Sequence, residues 1–585
     1  MRSAGEKIKR GASAVRTAVR SGARTTFATI VRKFREKRDY RKWLEKFGAP
    51  DEPGRQHLRE LIDEFDKKPL ISILLPVYDV DEKWLRLCVE SVFKQIYTNW
   101  ELCIADDNSP KPHVRRILEE YAATDERIKL VLREANGHIS AASNTALELA
   151  TGEFTVLLDH DDELAEDALF WVLNELNTFP RTMMIYSDED LIDENGRRYA
   201  PKFKPDWSCD LFYSVNTVTH LSAYRTSLLR ELGGFRTGFE GSQDYDLALR
   251  VIEKIDEGEI RHIPRILYHW RVIRGSVAYA GGEKPYAHER ARNALREHFE
   301  KTGKRATVTQ VADDLHRVRY QLPEPPPKVS LILVADDADI GLRRAAEYSL
   351  LTQYPNFEIV LIAKNSPNKK PGKELRFVVN LGVGKAEALN LAARQCNCDV
   401  LCFADVNLLP QSDDWLTELA GFAIQDEIGA AGGKVLSENE TIKGTGLIIG
   451  ATELVGIAHE GFPGNSPGNM ARNRLIGNYT AISISCMVIR RNLFDQAGGF
   501  DFGNLPNTLF DADLCLRLRE KGLRIVFTPY AELFQNEVEK RPSQEKAPAV
   551  EESGYFENKW REVIRCDPFY NPNLSKKDAS FSIDI

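Results

Sequence analysis

The sequence predicts an α/β protein built from two tandem domains. Each is expected to be a mostly parallel, doubly wound sheet, and a basic helical segment precedes them. Two observations carry this reading. Short apolar, β-branched runs alternate with amphipathic stretches of helical period, the pattern of strands joined by crossover helices. The pattern also occurs twice. Residues 91–109 read SVFKQIYTNWELCIADDNS, and residues 349–366 read SLLTQYPNFEIVLIAKNS, a match with one residue deleted. Gly233-Gly234-Phe235 returns as Gly498-Gly499-Phe500, and SQDYDLALR at 242–250 returns as LFDADLCLR at 509–517. A fixed internal repeat of this length marks duplicated modules.

The elements follow in order. Ile71–Val77 reads as a strand, Leu85, Val89, Val92, Phe93 and Ile96 as one helix face, and Trp100–Ala105 and Phe154–Leu158 as further strands. The expected organisation is a basic amphipathic segment over 1–66, a first α/β domain over 67–300 and a Pro-rich linker over 301–327. A second domain follows over 328–540, with a polar tail over 541–585.

With 585 residues the chain is too long for one core. Its net charge of −8 argues against a nucleic-acid partner, which needs a basic surface. Nine cysteines without paired C-x-x-C hooks read as buried apolar residues in a reducing compartment. There is no apolar run of roughly 18 residues and no signal-peptide core. Residues 1–35 are basic instead, with Arg16, Arg20 and Arg24 on one stripe and Ile8, Ala12, Val15 and Val19 on another. The segment reads as a peripheral contact with an anionic membrane surface, or as a solvated basic tail.

In a doubly wound sheet, ligands bind beyond the carboxyl ends of the strands. The first module places Pro76-Val77-Tyr78 at one such end, Asp106-Asp107-Asn108-Ser109 at the next, and Asp159-His160-Asp161-Asp162 at a third. Taken singly, each cluster reads as a turn or a helix cap. Three at successive strand ends point to a divalent cation, and oxygen ligands without cysteine point to Mn²⁺ or Mg²⁺.

This ordered set, with Gly241-Ser242-Gln243-Asp244-Tyr245-Asp246 and Tyr268-His269-Trp270-Arg271, resembles family 2 glycosyltransferases of GT-A fold. It is most similar to those that build bacterial surface polysaccharides, O-antigen rhamnosyltransferase-like proteins among them. Tyr40-x-x-Trp43, Lys204-Pro205-Asp206-Trp207-Ser208 and the stretch Asp567–Leu574 extend the resemblance over most of the chain. It implies a nucleoside-diphosphate sugar donor, a glycan acceptor carried on a lipid, and a peripheral place at the inner face of the cytoplasmic membrane. It also implies roles. Pro76 and Tyr78 line the nucleotide pocket, Asp107 reads the base, and Asn144 lies beside the donor or starts a helix. Asp159 contacts the ribose or sugar and Asp161 holds the metal. Asp244 is the general base of an inverting displacement, and Asp246 is structural. His269 reads equally as a metal ligand or as a packed strand-end residue. Asn216 and His220 fall on the acceptor side. Trp207 could stack a sugar or pack in the core.

In the second module, Asp106-Asp107 becomes Ala363-Lys364, and Asp159-His160-Asp161 becomes Asp405-Val406-Asn407. Asp244 persists as Asp511. The expectation is a degenerate copy. Two alternatives stay open: a bifunctional polymerase with two working sites, and a non-catalytic sugar-nucleotide scaffold. A sugar nucleotidyltransferase would open with a Gly-rich basic phosphate loop after the first strand, which Pro76-Val77-Tyr78-Asp79 is not.

Overall fold

A computed structural model describes residues 35–273, 285–312, 314–368, 375–379, 382–535 and 548–585. The basic stretch expected to lie on a membrane falls almost wholly outside the described residues. Among those described, no helix is long and apolar enough to cross a membrane.

Residues 35–47 form helix α1, and Glu52–Glu64 form α2. The first sheet is then built from β1 (Ile71–Val77), β2 (Trp100–Asp106), β3 (Ile128–Leu132), β4 (Phe154–Leu157), β5 (Glu163–Leu164), β6 (Met184–Ile192), β7 (Arg198–Lys202), β8 (Ser222–Arg225) and β9 (Ile260–Arg271). Their order is β3-β2-β1-β4-β8-β6-β9-β5, with β7 on β6. Strands β1 to β4 pair in parallel, as do β6 and β9, while β8 runs antiparallel to β4 and β6. β1 is buried along nearly its whole length, and six of its seven residues are apolar, the exception being the buried Ser72. Helices α3 (Glu82–Phe93), α4 (Pro112–Thr124), α5 (His138–Leu149) and α6 (Ala168–Thr178) cover the faces. Three shorter helices, α7 (Cys209–Phe212), α8 (Thr226–Glu231) and α9 (Gln243–Ile252), carry the connections before β9.

The second module repeats this strand order. Leu375–Val379, Phe357–Ala363, Val329–Ala335, Val400–Asp405, Cys486–Arg490, Ile428–Leu436, Arg524–Gln535 and Leu408–Pro410 lie in the places of β3, β2, β1, β4, β8, β6, β9 and β5. It adds a small three-stranded sheet from Gly446–Ile449, Val455–Ile457 and Ala481–Ile482.

The region expected as a bare linker is ordered. Helix α10 (Pro285–Lys301) leads into a hairpin of β10 (Ala306–Ala312) and β11 (Leu315–Tyr320). Val308, Val318 and Tyr320 alternate onto one buried face, and Tyr320 packs between Phe299 and Phe422. One apolar cluster therefore runs from Leu74 and Tyr224 through Phe299 and Tyr320 to Trp415 and Val488. The C-terminal stretch expected as a polar tail also returns to the body. Tyr570 and Phe581 share a second cluster with Tyr40 and Trp43 of α1, Phe203 and Ile266 of module one, and Tyr479 and Phe527 of module two.

Between the modules, Asp210 is 2% exposed and accepts from Asn478 Nδ2 (2.7 Å) and Arg524 Nε (3.0 Å). Removing one member of a buried pair leaves the other charge without compensation. Asp210→Ala is expected to cost about 3–5 kcal/mol and to lower the melting temperature of both modules together. Calorimetry checks this, and an unchanged transition would count against a single packed body.

Candidate active site

The acidic loop that follows β4 is held from beneath by β9. Asp162 is 1% exposed and accepts from Tyr268 Oη (2.6 Å) and Arg271 N (2.7 Å). Arg271, buried, donates from Nε to the Asp161 carbonyl (2.7 Å) and pairs with Glu163. The antiparallel register of β5 and β9 sets Glu163 against His269 and Leu164 against Tyr268. Burial, then the neighbouring carboxylates Asp161 and Asp159, push Asp162 well above the ordinary carboxylate range. Asp159, only partly buried, is raised too, by that partial burial and the Asp161 charge, with His220 opposing it. Carboxylates in this state gain from a cation among them, so the residues fit a divalent ion. Asp159, Asp162 and His220 bring one ligand atom each within 4.8 Å of one another. That set differs from the expected Asp161 and His269. Asp162 is its most committed member, because both its oxygens already accept hydrogen bonds. Asp161, half-buried at the loop tip, has no side-chain hydrogen bond among the described residues.

His269 is 8% exposed, and its Nδ1 lies 2.7 Å from Asp190 Oδ1. Its Nε2 takes no partner among the described residues. His160 packs back on the end of the neighbouring strand β1, with Nδ1 3.3 Å from the Pro76 carbonyl. Tyr78 beyond it is 46% exposed, which leaves its ring accessible.

Helix α9 brings Asp244 to the same mouth. One oxygen, Oδ2, accepts from Asn216 Nδ2 (2.8 Å) and Thr219 Oγ1 (2.7 Å). The other takes no hydrogen bond among the described residues. Asp244 stands close enough to Asp159 that its charge raises the Asp159 pKa. His220 bridges the two ends: its Nε2 is 3.8 Å from Asp159 Oδ2, and its ring stacks on Tyr268 at 4.6 Å. The segment holding Thr219 and His220 is pinned from below by Lys204, which is 1% exposed. Lys204 Nζ donates to both of their carbonyls (2.8 Å each) and pairs with the buried Glu189 (3.3 Å). Lys204, Glu189 and Thr219 had no assigned role in the sequence reading. Lys204 lay inside the Lys-Pro-Asp-Trp-Ser motif, but a buried ammonium leaves no periodic trace.

Three further expected residues make contacts within the fold. Asp107 is 2% exposed and is spent on the fold: it accepts from Gly137 N (2.9 Å) and pairs with Arg133 (3.0 Å). A carboxylate there satisfies an amide at the entry of α5. Asn144 bonds Phe235 in both directions, Nδ2 to O at 2.8 Å and N to Oδ1 at 2.7 Å. Gly234 has φ +69°, and a Cβ there would strike Asn144 Oδ1. In module two, Asn390 makes the same pair of bonds to Phe500. Both copies thus tie this helix to the Gly-Gly-Phe turn in the same way. Trp207 packs on Phe212 and Tyr186 and lines a cavity of about 270 Å³ between the modules, at the end of β9 opposite the acidic loop. Asp246 is buried and paired with Arg236 and Arg250.

A family model described as glycosyl transferase family 2 matches residues 72–233, and one described as glycosyltransferase like family 2 matches 325–564. The chain belongs to the family 2 glycosyltransferases. It is 38% identical over 542 residues to the Sinorhizobium fredii protein y4gI, covering 90% of this chain and 60% of that one. It is 33% identical over 553 residues to the Myxococcus xanthus O-antigen biosynthesis protein RfbC, covering 92% and 42%. The chain thus spans only part of the length of both relatives. Among solved structures, Staphylococcus aureus TarS 1–349 in complex with UDP-GlcNAc aligns over 38% of this chain and 65% of that chain. The identity is 20% and the TM-score 0.32, too low a likeness to carry an argument. The two glycosyltransferase modules share one sheet order and the same Asn-to-Phe bridge, and they differ at the strand ends.

Asn144→Ala and Asn390→Ala are each expected to cost about 1–3 kcal/mol by stranding backbone groups of a buried loop. Chemical denaturation measures both. Weakened donor binding in Asn144→Ala with unchanged stability would return that residue to the donor pocket.

Proposed function

We propose that this chain is an inverting, divalent-metal-dependent glycosyltransferase with its working centre in module one. It moves a sugar from a nucleoside-diphosphate sugar to a glycan acceptor of a bacterial surface polysaccharide. The observation that carries the reading is Asp244, whose Oδ2 is oriented by Asn216 and Thr219 while Oδ1 is left unengaged beside the acidic loop. In the reaction, the acceptor hydroxyl gives its proton to Asp244 Oδ1 as its oxygen bonds to the sugar C1. The C1–O bond to the diphosphate breaks on the opposite face, and the nucleoside diphosphate leaves with the electron pair. One displacement inverts C1. Asp159, Asp161 and Asp162, with His220 or His269, are the residues that would hold Mn²⁺ or Mg²⁺. A divalent ion there supplies Lewis-acid stabilisation of the diphosphate as charge gathers on it. Asn216 and Thr219 fix the base, Tyr78 offers the nucleotide a ring, and His220 lines the acceptor side.

The surface-polysaccharide assignment is supported by the name of the M. xanthus relative. A lipid-linked acceptor and a peripheral place at the inner membrane face go with the basic residues 1–35. In module two, Asp405 Oδ1 is taken by Asn407, and Lys364 pairs with Asp336. Both oxygens of Asp511 accept backbone amides, from Ile484 and Ala512, so neither is left as Asp244 Oδ1 is. This supports a degenerate second copy over a bifunctional polymerase.

Nucleotide release from a panel of nucleotide-sugars with Mn²⁺ tests the reading. Asp244→Asn and Asp161→Ala should each lose on the order of 100-fold or more, and Asp511→Asn should turn over like the native protein. Equal loss from Asp511→Asn would establish two working sites.

The raised carboxyls give a second test. A folded-state pKa above the unfolded value contributes stability at low pH that is lost as pH rises through the folded pKa. Without the ion, the loop is therefore weakest near neutrality, where a cation has most to offset. Mn²⁺ is expected to raise the melting temperature more at about pH 7.5 than at about pH 5. An equal rise at both would leave the carboxylate cluster without a role in binding.

A further inference from the structure

The N-terminal helix reaches the catalytic mouth through one buried carboxylate. Asp190, on β6, is fully buried, and Arg198 pairs with its carboxylate from β7. A carboxylate paired in this way only accepts. Three groups donate to it: Tyr40 Oη from α1, Arg198 Nε from β7 (2.6 Å), and His269 Nδ1 from β9 (2.7 Å). Arg198 also donates from Nη1 to the Gly48 carbonyl (2.7 Å), so the N-terminal stretch grips the carboxylate at two points. Tyr40 is 2% exposed, stacks on Trp43 at 5.7 Å, and is itself kept protonated by burial and by Asp190.

The consequence for His269 is chemical. An acceptor-only partner at Nδ1 places a ring proton there, and in the neutral imidazole this leaves the lone pair on Nε2. A second partner that fixes the tautomer and aim of an imidazole governs how well it binds a metal.

We propose that Tyr40 is a positioning residue for His269, acting through Asp190. Residues outside the sheet thereby set the metal affinity of the centre. The proposal rests on the reading of His269 as a ligand in the working site. It gives the Tyr40-x-x-Trp43 motif a role that packing alone does not.

The test is Mn²⁺ affinity of the full chain, read from the free-ion electron paramagnetic resonance signal without donor or acceptor. Tyr40→Phe keeps the ring and its stacking and removes only the hydroxyl. It is expected to weaken Mn²⁺ binding on the order of 10-fold, and Asp190→Asn by more, within the 10- to 100-fold range typical of such partners. Leu44→Ala, which loosens the same helix without touching Asp190, should lower the melting temperature and leave Mn²⁺ affinity at the native value. If His269→Ala weakens binding while Tyr40→Phe binds as the native chain does, the relay is overturned and the ligand reading stands. If His269→Ala binds as the native chain does, the ligand reading falls and the relay with it. A loss in Leu44→Ala as large as that in Tyr40→Phe would reduce the effect to helix packing and overturn the proposal.

Discussion

Asp159, Asp161, Asp162 and Glu163 repel one another, and the chain keeps them together by running Arg271 beneath them. Its backbone amide serves Asp162, its Nε serves the Asp161 carbonyl, and its far nitrogen serves Glu163. Tyr268, two strand positions from Trp270, adds a hydroxyl to Asp162. These contacts exist because β9 is long enough to pair with β6 along its length and with β5 near its end. The long last strand is thus a scaffold for charge. Its side chains hold an arrangement that the acidic loop could not keep on its own. The site on the other side of the mouth uses the same economy: one buried ammonium, Lys204, fixes two carbonyls and so places Thr219 against Asp244 and His220 against Asp159.

The duplication separates what the fold needs from what the site needs. Both copies keep the Asn-to-Phe bridge, the Gly-Gly-Phe turn, and a buried aspartate that pairs with an arginine one helical turn on: Asp246 with Arg250, Asp513 with Arg517. The copies part company at strand ends, where module two carries Lys364 and Asn407 in place of Asp107 and Asp161. A hydrogen-bonded contact retained in both modules is therefore explained by packing first, whereas Asp244 and Asp511 share a position but not their partners.

That comparison also marks how far the sequence could be read. The strands of module one were legible because β1 and β2 are buried on both faces and appear as short, mostly apolar runs. The acidic loop and Asp244 were legible because carboxylates at strand ends and at a helix start are conspicuous. Asn144 and Asp107 could be read either way, since an amide or carboxylate side chain serves backbone groups as readily as it serves a ligand, and the Phe235 backbone that Asn144 meets lies 91 residues on. The hairpin after α10 was hidden behind prolines that punctuate its exit, although Val308, Val318 and Tyr320 alternate as strand residues should. Asp190 and Lys204 were invisible for a different reason. Their partners lie 150 and 15 residues away, and only the folded sheet brings them together.

The cluster shared by Tyr40, Trp43, Phe203, Ile266, Tyr479, Phe527, Tyr570 and Phe581 makes the modules a single inheritance. Each contributes only a fraction of that apolar surface, and neither closes it alone. Cutting the chain at the proline-rich stretch would bare Phe203 and Ile266 on one piece and Tyr479 and Phe527 on the other. Whatever chemistry the second copy retains or lacks, a lineage carrying this chain cannot shed it, because the first copy has come to use it as a wall.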